Sequence, residues 1–171
     1  MIRLEKFDHN CYDQLISWAD STEALMQFAG PAFTFPLTHE QLNNSLSDNN
    51  RFAFQVIDTR RQTTIGHAEI YLSEQSAFLG RILIGDKELR GMGIGQQIVY
   101  HLLDFAFKDL KQQIVELNVF DWNVSAIKCY EKAGFVFNLS KRAERKVNGQ
   151  TWIALNMYID KQKWELFARA L

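Results

Sequence analysis

The sequence is poor in cysteine and proline, has almost no excess of charge and contains no long apolar run. Its two cysteines, Cys11 and Cys129, form no CxxC pair, which predicts a reducing compartment and argues against a cysteine-built zinc site. Lys and Arg number 19 and Asp and Glu number 20, so no overall basic field would draw the chain to nucleic acid or to an anionic membrane. No run approaches the roughly 18 apolar residues of a membrane span.

The rest of the composition is ordinary for a globular protein, with 47% hydrophobic and 23% charged residues. At 171 residues, the chain is expected to form a single domain over 1–171, long enough to bury a core without metal or disulfides. The segment from Met1 to Lys6 is charged and lacks an apolar signal core, which predicts a cytoplasmic protein. No cluster of His, Cys and acidic residues has metal-ligand spacing, so we expect no metal.

Hydrophobic patterning predicts alternating helices and strands, the pattern of an α/β chain. The predicted strands cover 51–58, 63–72, 77–84, 114–120, 135–147 and 150–159. The predicted helices cover 11–19, 23–29, a short segment opened by Thr38, 93–110, 124–133 and the tail 164–171. Asn148-Gly149 predicts a type I′ hairpin turn, because both residues tolerate the positive φ that this turn requires.

Three glycines stand between a predicted buried strand and the longest predicted helix, in Arg90-Gly91-Met92-Gly93-Ile94-Gly95. Each glycine in a helical turn costs about 1 kcal/mol relative to alanine. No Ser, Thr, Asp or Asn lies there to cap the N–H groups, and Arg90 puts a cation at the positive end of the helix dipole. An anion such as phosphate bound to the turn would explain all three features; the alternative is a glycine loop packed tightly on a strand. Two other phosphate-binding motifs fit this turn less well. The Gly-Lys-Ser/Thr ending of the Walker A motif is absent, and Gln96 interrupts the GxGxxG pattern of Rossmann folds.

Two motifs of the sequence resemble those of the GNAT acetyltransferases. Arg-x-x-Gly-x-Gly after an apolar strand is similar to the family's acetyl-CoA pyrophosphate loop. Asn123-x-x-Ala126-x-x-x-Tyr130-x-x-x-Gly134-Phe135 is similar to its second signature, in the same order and one strand further on. The strand pair around the Asn-Gly turn resembles the RimJ/RimL and spermidine acetyltransferase branch. This resemblance, over about residues 51 to 160, implies a GNAT fold with a mixed, mostly antiparallel sheet flanked by helices.

The resemblance also implies a reaction, in which an amine attacks the thioester of acetyl-CoA directly. Tyr130 falls at the family's general-acid position and would protonate the CoA thiolate; the alternative is a core aromatic. Asn123 would contact the cofactor, cap a helix, or do both. The backbone of a strand that splays from its neighbour would hold the pantetheine. The cofactor-binding residues predicted in this way are Ile82, Leu83, Ile84, Arg90, Gly91, Met92, Gly93, Ile94, Gly95, Asn123 and Tyr130.

The general base departs from the family's pattern. Many relatives carry Glu five residues before the signature Asn, where this chain has Asn118, which cannot accept a proton at neutral pH but could orient a water. Glu116, on the same strand face, and Glu69, on an earlier strand, are the carboxylate candidates. The alternative for each is a solvated or ion-paired side chain. His67 alternates with Glu69 and could line the same cleft.

The amine acceptor is left open by the sequence. A protein N-terminal amine, as in the RimJ/RimL branch, and a small amine such as a polyamine both fit. A polyamine site should expose several carboxylates, and Glu23, Glu40 and Asp48 are too scattered to decide. Phe33 and Phe35 of an aromatic loop, together with the final hairpin, are expected to wall the pocket.

The basic run 141–146, the tail helix and Asn118 can each be interpreted in more than one way. The basic run 141–146 predicts an exposed strand face, with a contact for RNA or for the CoA phosphates as the alternative; we expect no nucleic-acid partner. The tail helix is expected to pack on the body or on a second subunit, which allows a homodimer. Asn118 at the usual Glu position keeps a different class of function open, a non-catalytic CoA-binding regulatory or interaction domain.

Overall fold

A single seven-stranded sheet runs through the computed structural model, which describes residues 1–169. Its strand order is β1-β2-β3-β4-β5-β7-β6, and all neighbours are antiparallel except β4 and β5. The strands are β1 (Ile2–Lys6), β2 (Arg51–Asp58), β3 (Thr63–Leu72), β4 (Ala77–Ile84), β5 (Ile114–Phe120), β6 (Val136–Val147) and β7 (Gln150–Asp160). The mixed, mostly antiparallel sheet is confirmed.

Helices cover both faces of this sheet. They are α1 (Tyr12–Trp18), α2 (Thr22–Ala29), α3 (His39–Leu46), α4 (Ile94–Asp104), α5 (Val124–Lys132) and α6 (Lys161–Ala168). The helices α1 to α3 close a smaller core on one face, around Leu15, Leu25 and Leu42. The larger core on the other face joins α4 and α6 to the sheet through residues such as Leu102 and Trp164. The sheet is therefore the middle layer of three.

Most predicted elements are present within a residue or two of their predicted bounds. Asn148 and Gly149 have φ of 46° and 80°, which confirms the predicted turn. The predicted helix 93–110 ends earlier as α-helix and continues as one π-helical turn over Phe105–Asp109. Strand β1 was not predicted, because its five residues carry three charges and lie at the sheet edge. The tail helix begins at Lys161, and Leu171 lies outside the described residues.

The parallel pair β4–β5 is joined over only three residues, ending at Leu79 opposite Leu117. Beyond that point, Gly80–Ile84 of β4 and Asn118–Phe120 of β5 diverge; we call the gap between them the wedge. A bulge contributes to the divergence, since Arg81 has φ of 51° and the β3–β4 register shifts there. Among residues 1–169, none of the helices combines the length and apolar character needed to cross a membrane.

Candidate active site

A cavity of about 870 Å³ lies at the wedge. Gly93, Cys129 and Tyr130 line it from the α4 and α5 side of the sheet, and Phe28 and Pro31 line it from the α2 side. The cavity therefore passes through the sheet where β4 and β5 separate. Its size is in the range of sites that hold a cofactor or a small ligand.

The glycine turn borders this cavity without a side-chain cap. Gly93 is the N-cap residue of α4 in the left-handed conformation, φ 78°, and no side chain among residues 1–169 caps the first turn. Gly91 has φ of 79°, and a Cβ placed on either glycine would meet nothing within 4 Å. Uncapped N–H groups therefore stand at the positive end of an 11-residue helix, next to glycines that leave room beside the backbone. This geometry suits an anion, as the sequence predicted.

The other residues of the turn divide into two groups. Arg90 lines the cavity, but its guanidinium donates two hydrogen bonds, 3.1 and 3.0 Å long, to the carbonyl of Ile84 and so anchors the turn to the end of β4. Gly95 lines the cavity too, although a Cβ there would make only an ordinary contact with Cys129. Met92 and Ile94 were predicted to bind the cofactor, yet neither lines the cavity. Met92 is exposed and Ile94 packs into the larger core.

Asn123 caps α5 and also lines the cavity, so both predicted roles are geometrically possible. Its Oδ1 accepts a hydrogen bond 3.3 Å long from the amide of Ala126. The predicted strand residues Ile82, Leu83 and Ile84 border the same cavity along one side of the wedge.

Tyr130 projects from α5 into the cavity and is half-buried. Desolvation, with a smaller contribution from the neighbouring Cys129, raises the pKa of its phenol well above the usual range. A phenol in water has a pKa near 10, so burial makes Tyr130 a weaker acid than a free tyrosine. Burial in the same cavity also raises the pKa of the Cys129 thiol. The same burial would raise the pKa of a CoA thiol held there. The difference between the pKa of the Tyr130 phenol, the proton donor, and that of the thiol would then be smaller.

Glu116 does not line the cavity, contrary to what a role as general base requires. It is buried and accepts hydrogen bonds from the Ser76 hydroxyl, 2.9 Å, and from the Lys141 ammonium, 2.8 Å. Burial acts to raise its pKa, but these two partners outweigh burial and lower it. The structure therefore supports the alternative of an ion-paired carboxylate.

Glu69 does line the cavity, but it is fully engaged by cations. Arg51 donates to it at 2.7 Å, Arg81 donates to both carboxylate oxygens at 3.1 Å, and the His67 ring lies 3.0 Å away. Burial would raise its pKa, yet the His67 hydrogen bond and the surrounding charges lower it to about 2. So acidic a carboxyl is a poor proton acceptor at neutral pH. His67 is buried and, like Glu116, does not line the cavity.

Asn118 also lines the cavity, directly after the last paired residue of β5, and its side chain is exposed. Its Oδ1 accepts a hydrogen bond 3.1 Å long from Nδ2 of Asn156, its partner on β7. An amide fixed in this way can orient a water, which is the role the sequence left open for it.

Several lining residues were not found from the sequence. Arg51 and Arg81 lie at the closed end of the wedge, and the only available signal was that Arg81 is a lone charge within an apolar run. Phe33 and Phe35 were expected to wall the pocket, but the residues of this loop that line the cavity are Gly30–Ala32. Phe33 is instead buried with its ring 4.0 Å from the Arg81 guanidinium, and Phe35 is exposed. Of the final hairpin, Ala143, Arg145 and Ala154 line the cavity as expected.

Comparison with known proteins gives one family match. Residues 16–135 match the model of the acetyltransferase (GNAT) family. A probable N-acetyltransferase, YjcK of Bacillus subtilis, is 37% identical over 75 residues, which cover 44% of this chain and 40% of that relative. Spermidine N(1)-acetyltransferase of Vibrio cholerae is 28% identical over 141 residues, covering 80% of this chain and 79% of the relative.

Solved structures share the fold over nearly the whole chain. The crystal structure of V. cholerae spermidine N-acetyltransferase in complex with CoA and spermine has a TM-score of 0.79 at 24% identity, covering 96% of this chain and 98% of that one. A dodecameric structure of spermidine N-acetyltransferase from the same organism has a TM-score of 0.76 at 23% identity and covers 95% of each chain.

Proposed function

The chain belongs to the acetyltransferase (GNAT) family, and on this premise we propose that it moves an acetyl group from acetyl-CoA to a primary amine through the wedge. The observation that carries the proposal is the cavity that joins an uncapped glycine turn on one face of the sheet to a polar pocket on the other. A cofactor and an acceptor that enter from opposite faces would meet between β4 and β5. Holding both reactants there supplies proximity.

We assign the phosphates of acetyl-CoA to the turn around Gly91 and Gly93. Lys87, Lys128 and Lys132 line this end of the cavity and add positive charge. The pantetheine would follow Ile82–Ile84, where β4 has no strand partner on the side of β5. Backbone groups of this segment would bind it and polarise the thioester carbonyl.

The reaction balances with residues already in the cavity. The neutral amine nitrogen attacks the thioester carbon, the C–N bond forms and the C–S bond breaks. The nitrogen loses a proton to a water oriented by Asn118, and the Tyr130 phenol gives its proton to the leaving thiolate. The proton released by the amine returns to the phenolate through water. The products are the N-acetyl amine and CoA thiol.

Family membership and this geometry favour catalysis over the non-catalytic alternative. Asn118 replaces a carboxylate, but a water-mediated proton transfer needs no carboxylate at that position. The relatives named above make spermidine a first acceptor to assay. One of them is described as a dodecamer. We propose that this chain also assembles into a multimer, with highly exposed apolar residues such as Leu139 and Leu166 as candidates for its contacts.

The experiment that tests the proposal measures free CoA thiol. The purified chain is mixed with acetyl-CoA and a panel of primary amines that includes spermidine and a peptide with a free N-terminus. We expect amine-dependent thiol release and a product heavier by one acetyl group. A protein that binds CoA but releases no thiol with any amine would be the non-catalytic alternative.

A further inference from the structure

A buried cluster of charges at the closed end of the wedge has more cations than its protein partners neutralise. The side chains of Arg51 and Arg81 are only 18% and 8% exposed, and both donate to the one carboxylate of Glu69, which is 3% exposed. One carboxylate cannot balance two guanidinium groups, and a charge buried without a partner is costly.

The two arginines of the cluster also have hydrogen-bond donors that no protein group among residues 1–169 uses. Arg51 reaches Glu69 through Nη1, while its buried Nε has no hydrogen-bond partner among residues 1–169. The contacts of Arg81 with Glu69 and with the Ser45 hydroxyl all involve Nη1. The planar guanidinium group carries five N–H donors, so donors on both arginines are left over where the side chains line the cavity.

This cluster is separate from the end of the cavity assigned to the CoA phosphates. Glu69 pairs with Gly80, at the start of the wedge, whereas the glycine turn follows Ile84. Four strand residues span about 13 Å. Arg81 and Glu69 also lie on the face of α1 to α3, since Arg81 stacks on Phe33 of the smaller core. The cluster therefore belongs to the acceptor side of the cavity.

The acidic residues of the cavity do not suit a polycationic acceptor. Outside the end assigned to the CoA phosphates, three arginines among residues 1–169 line the cavity, Arg51, Arg81 and Arg145, against two acids, Asp20 and Glu69. The carboxylates that the sequence offered for a polyamine, Glu23, Glu40 and Asp48, do not line it. Glu23 is instead hydrogen bonded by the Asn148 side chain.

We propose that the acceptor amine carries an anionic group, a carboxylate or a phosphate, which binds Arg51 and Arg81 while the amine points to the thioester. This deepens the proposed function and rests on it. The guanidinium fork matches both anions, and Arg51 and Arg81 supply two such forks within one pocket. Binding the anion would give the second guanidinium the counter-charge that Glu69 alone cannot provide.

The test compares kcat/KM for matched amines with the wild-type protein. γ-Aminobutyrate is paired with butylamine, phosphoethanolamine with ethanolamine, and putrescine and spermidine represent the cationic class. We expect at least one anionic amine to exceed its neutral partner by about tenfold or more, the size of a charge-assisted hydrogen bond. The pair that shows the preference tells a carboxylate from a phosphate.

A variant separates recognition from structure. Arg51→Gln removes the surplus cation and leaves Glu69 paired with Arg81, so the fold should persist, as a thermal melt would show. We expect the ratio of kcat/KM between anionic and neutral partners to fall toward one. Arg60→Gln, which removes the same charge from an exposed turn, should keep the ratio.

Three results would overturn the inference. A kcat/KM for neutral or cationic amines equal to that for the anionic amines would contradict the inference, while leaving the proposed acetyl transfer intact. An equal loss for all acceptors in Arg51→Gln would make the cluster purely structural. If no amine in the panel releases thiol, the proposed function fails and the inference fails with it.

Discussion

At the scale of single residues, the pKa values of two groups that line the cavity, Glu69 and Tyr130, are shifted in opposite directions, although burial acts to raise both. Glu69 is surrounded by His67, Arg51 and Arg81, which hold its pKa at about 2 in spite of burial. Tyr130 has no cation of this kind, and desolvation raises its pKa. The first is thereby kept charged and the second neutral at physiological pH, so the carboxylate can organise charge while the phenol can donate a proton.

Replacing Tyr130 with Phe tests the phenol as proton donor. The ring is kept, so packing and the KM for acetyl-CoA should change little. We expect kcat to fall by about 10²- to 10⁴-fold, the usual contribution of general acid catalysis. Because the pKa of Tyr130 is raised, ionisation of this phenol should not reduce the wild-type kcat below about pH 10.

Steady-state kinetics with the true acceptor provide the measurement, and Tyr158→Phe is the matched control because Tyr158 does not line the cavity. A fall of less than about threefold in kcat for Tyr130→Phe, far below the range for a general acid, would make Tyr130 only a core aromatic.

Replacing Glu69 with Gln tests the buried charge cluster. The change leaves two guanidinium groups without their carboxylate, so we expect the free energy of unfolding at pH 7 to fall by roughly 3 to 5 kcal/mol. Urea denaturation measures this loss, with the exposed Glu74→Gln as control. A loss no greater than in the control would show that the cluster does not stabilise the fold.

The same carboxyl gives a pH dependence of known sign. Its pKa of about 2 in the folded state lies below the ordinary value of about 4.3. Its contribution is therefore complete above that ordinary value and is lost as the pH falls toward 2. Wild type should lose stability over this range, and Glu69→Gln should lose less.

At the scale of the elements, the turn into α4 and the divergence of β4 from β5 together form the candidate site. The strand bounds of β2 to β5 could be predicted from the sequence, because alternation and apolar runs are local signals. The wedge could not, since the bulge at Arg81 that contributes to it has no local signal in the sequence. A Cβ on Gly85 would lie 2.0 Å from the Trp18 ring, so that glycine permits a tertiary contact that no local pattern shows.

The glycine turn can be tested with an isosteric pair, Gly93→Asp and Gly93→Asn. Both side chains tolerate the positive φ of this position better than most residues do. Only aspartate would place a negative charge where we assign the phosphates. Calorimetry should show that Gly93→Asp no longer binds CoA, whereas Gly93→Asn keeps an affinity closer to that of the wild type. Equal affinities for the two folded variants would contradict the assignment of phosphate to the turn.

At the scale of the whole molecule, the charges are balanced overall and separated inside. A net charge of −1 predicts no general attraction to polyanions, and that expectation stands as a prediction. The lining of the cavity is nevertheless strongly cationic. Composition averages over the surface and cannot reveal this. The family motifs indicated the residues that we assign to CoA, whereas the part of the cavity that we assign to the acceptor is lined from α1, α2, β2 and β3, where the sequence carries no comparable motif.

Assembly is a second property of the whole molecule. If the chain forms a multimer, sedimentation velocity at assay concentrations should show a species heavier than the 19.9 kDa chain. Changing the exposed Leu139 and Leu166 to Ser should weaken such a species if those residues lie in its contacts. A single monomeric species at those concentrations would contradict the proposal of a multimer.

The most direct test of the central claim, that cofactor and acceptor meet in the wedge, is a crystal structure of the complex with CoA. We expect the pyrophosphate on the amides around Gly91 and Gly93, and the sulfur between β4 and β5 within about 3 Å of the Tyr130 hydroxyl. CoA bound elsewhere, or bound at the turn with its sulfur outside the wedge, would contradict the claim.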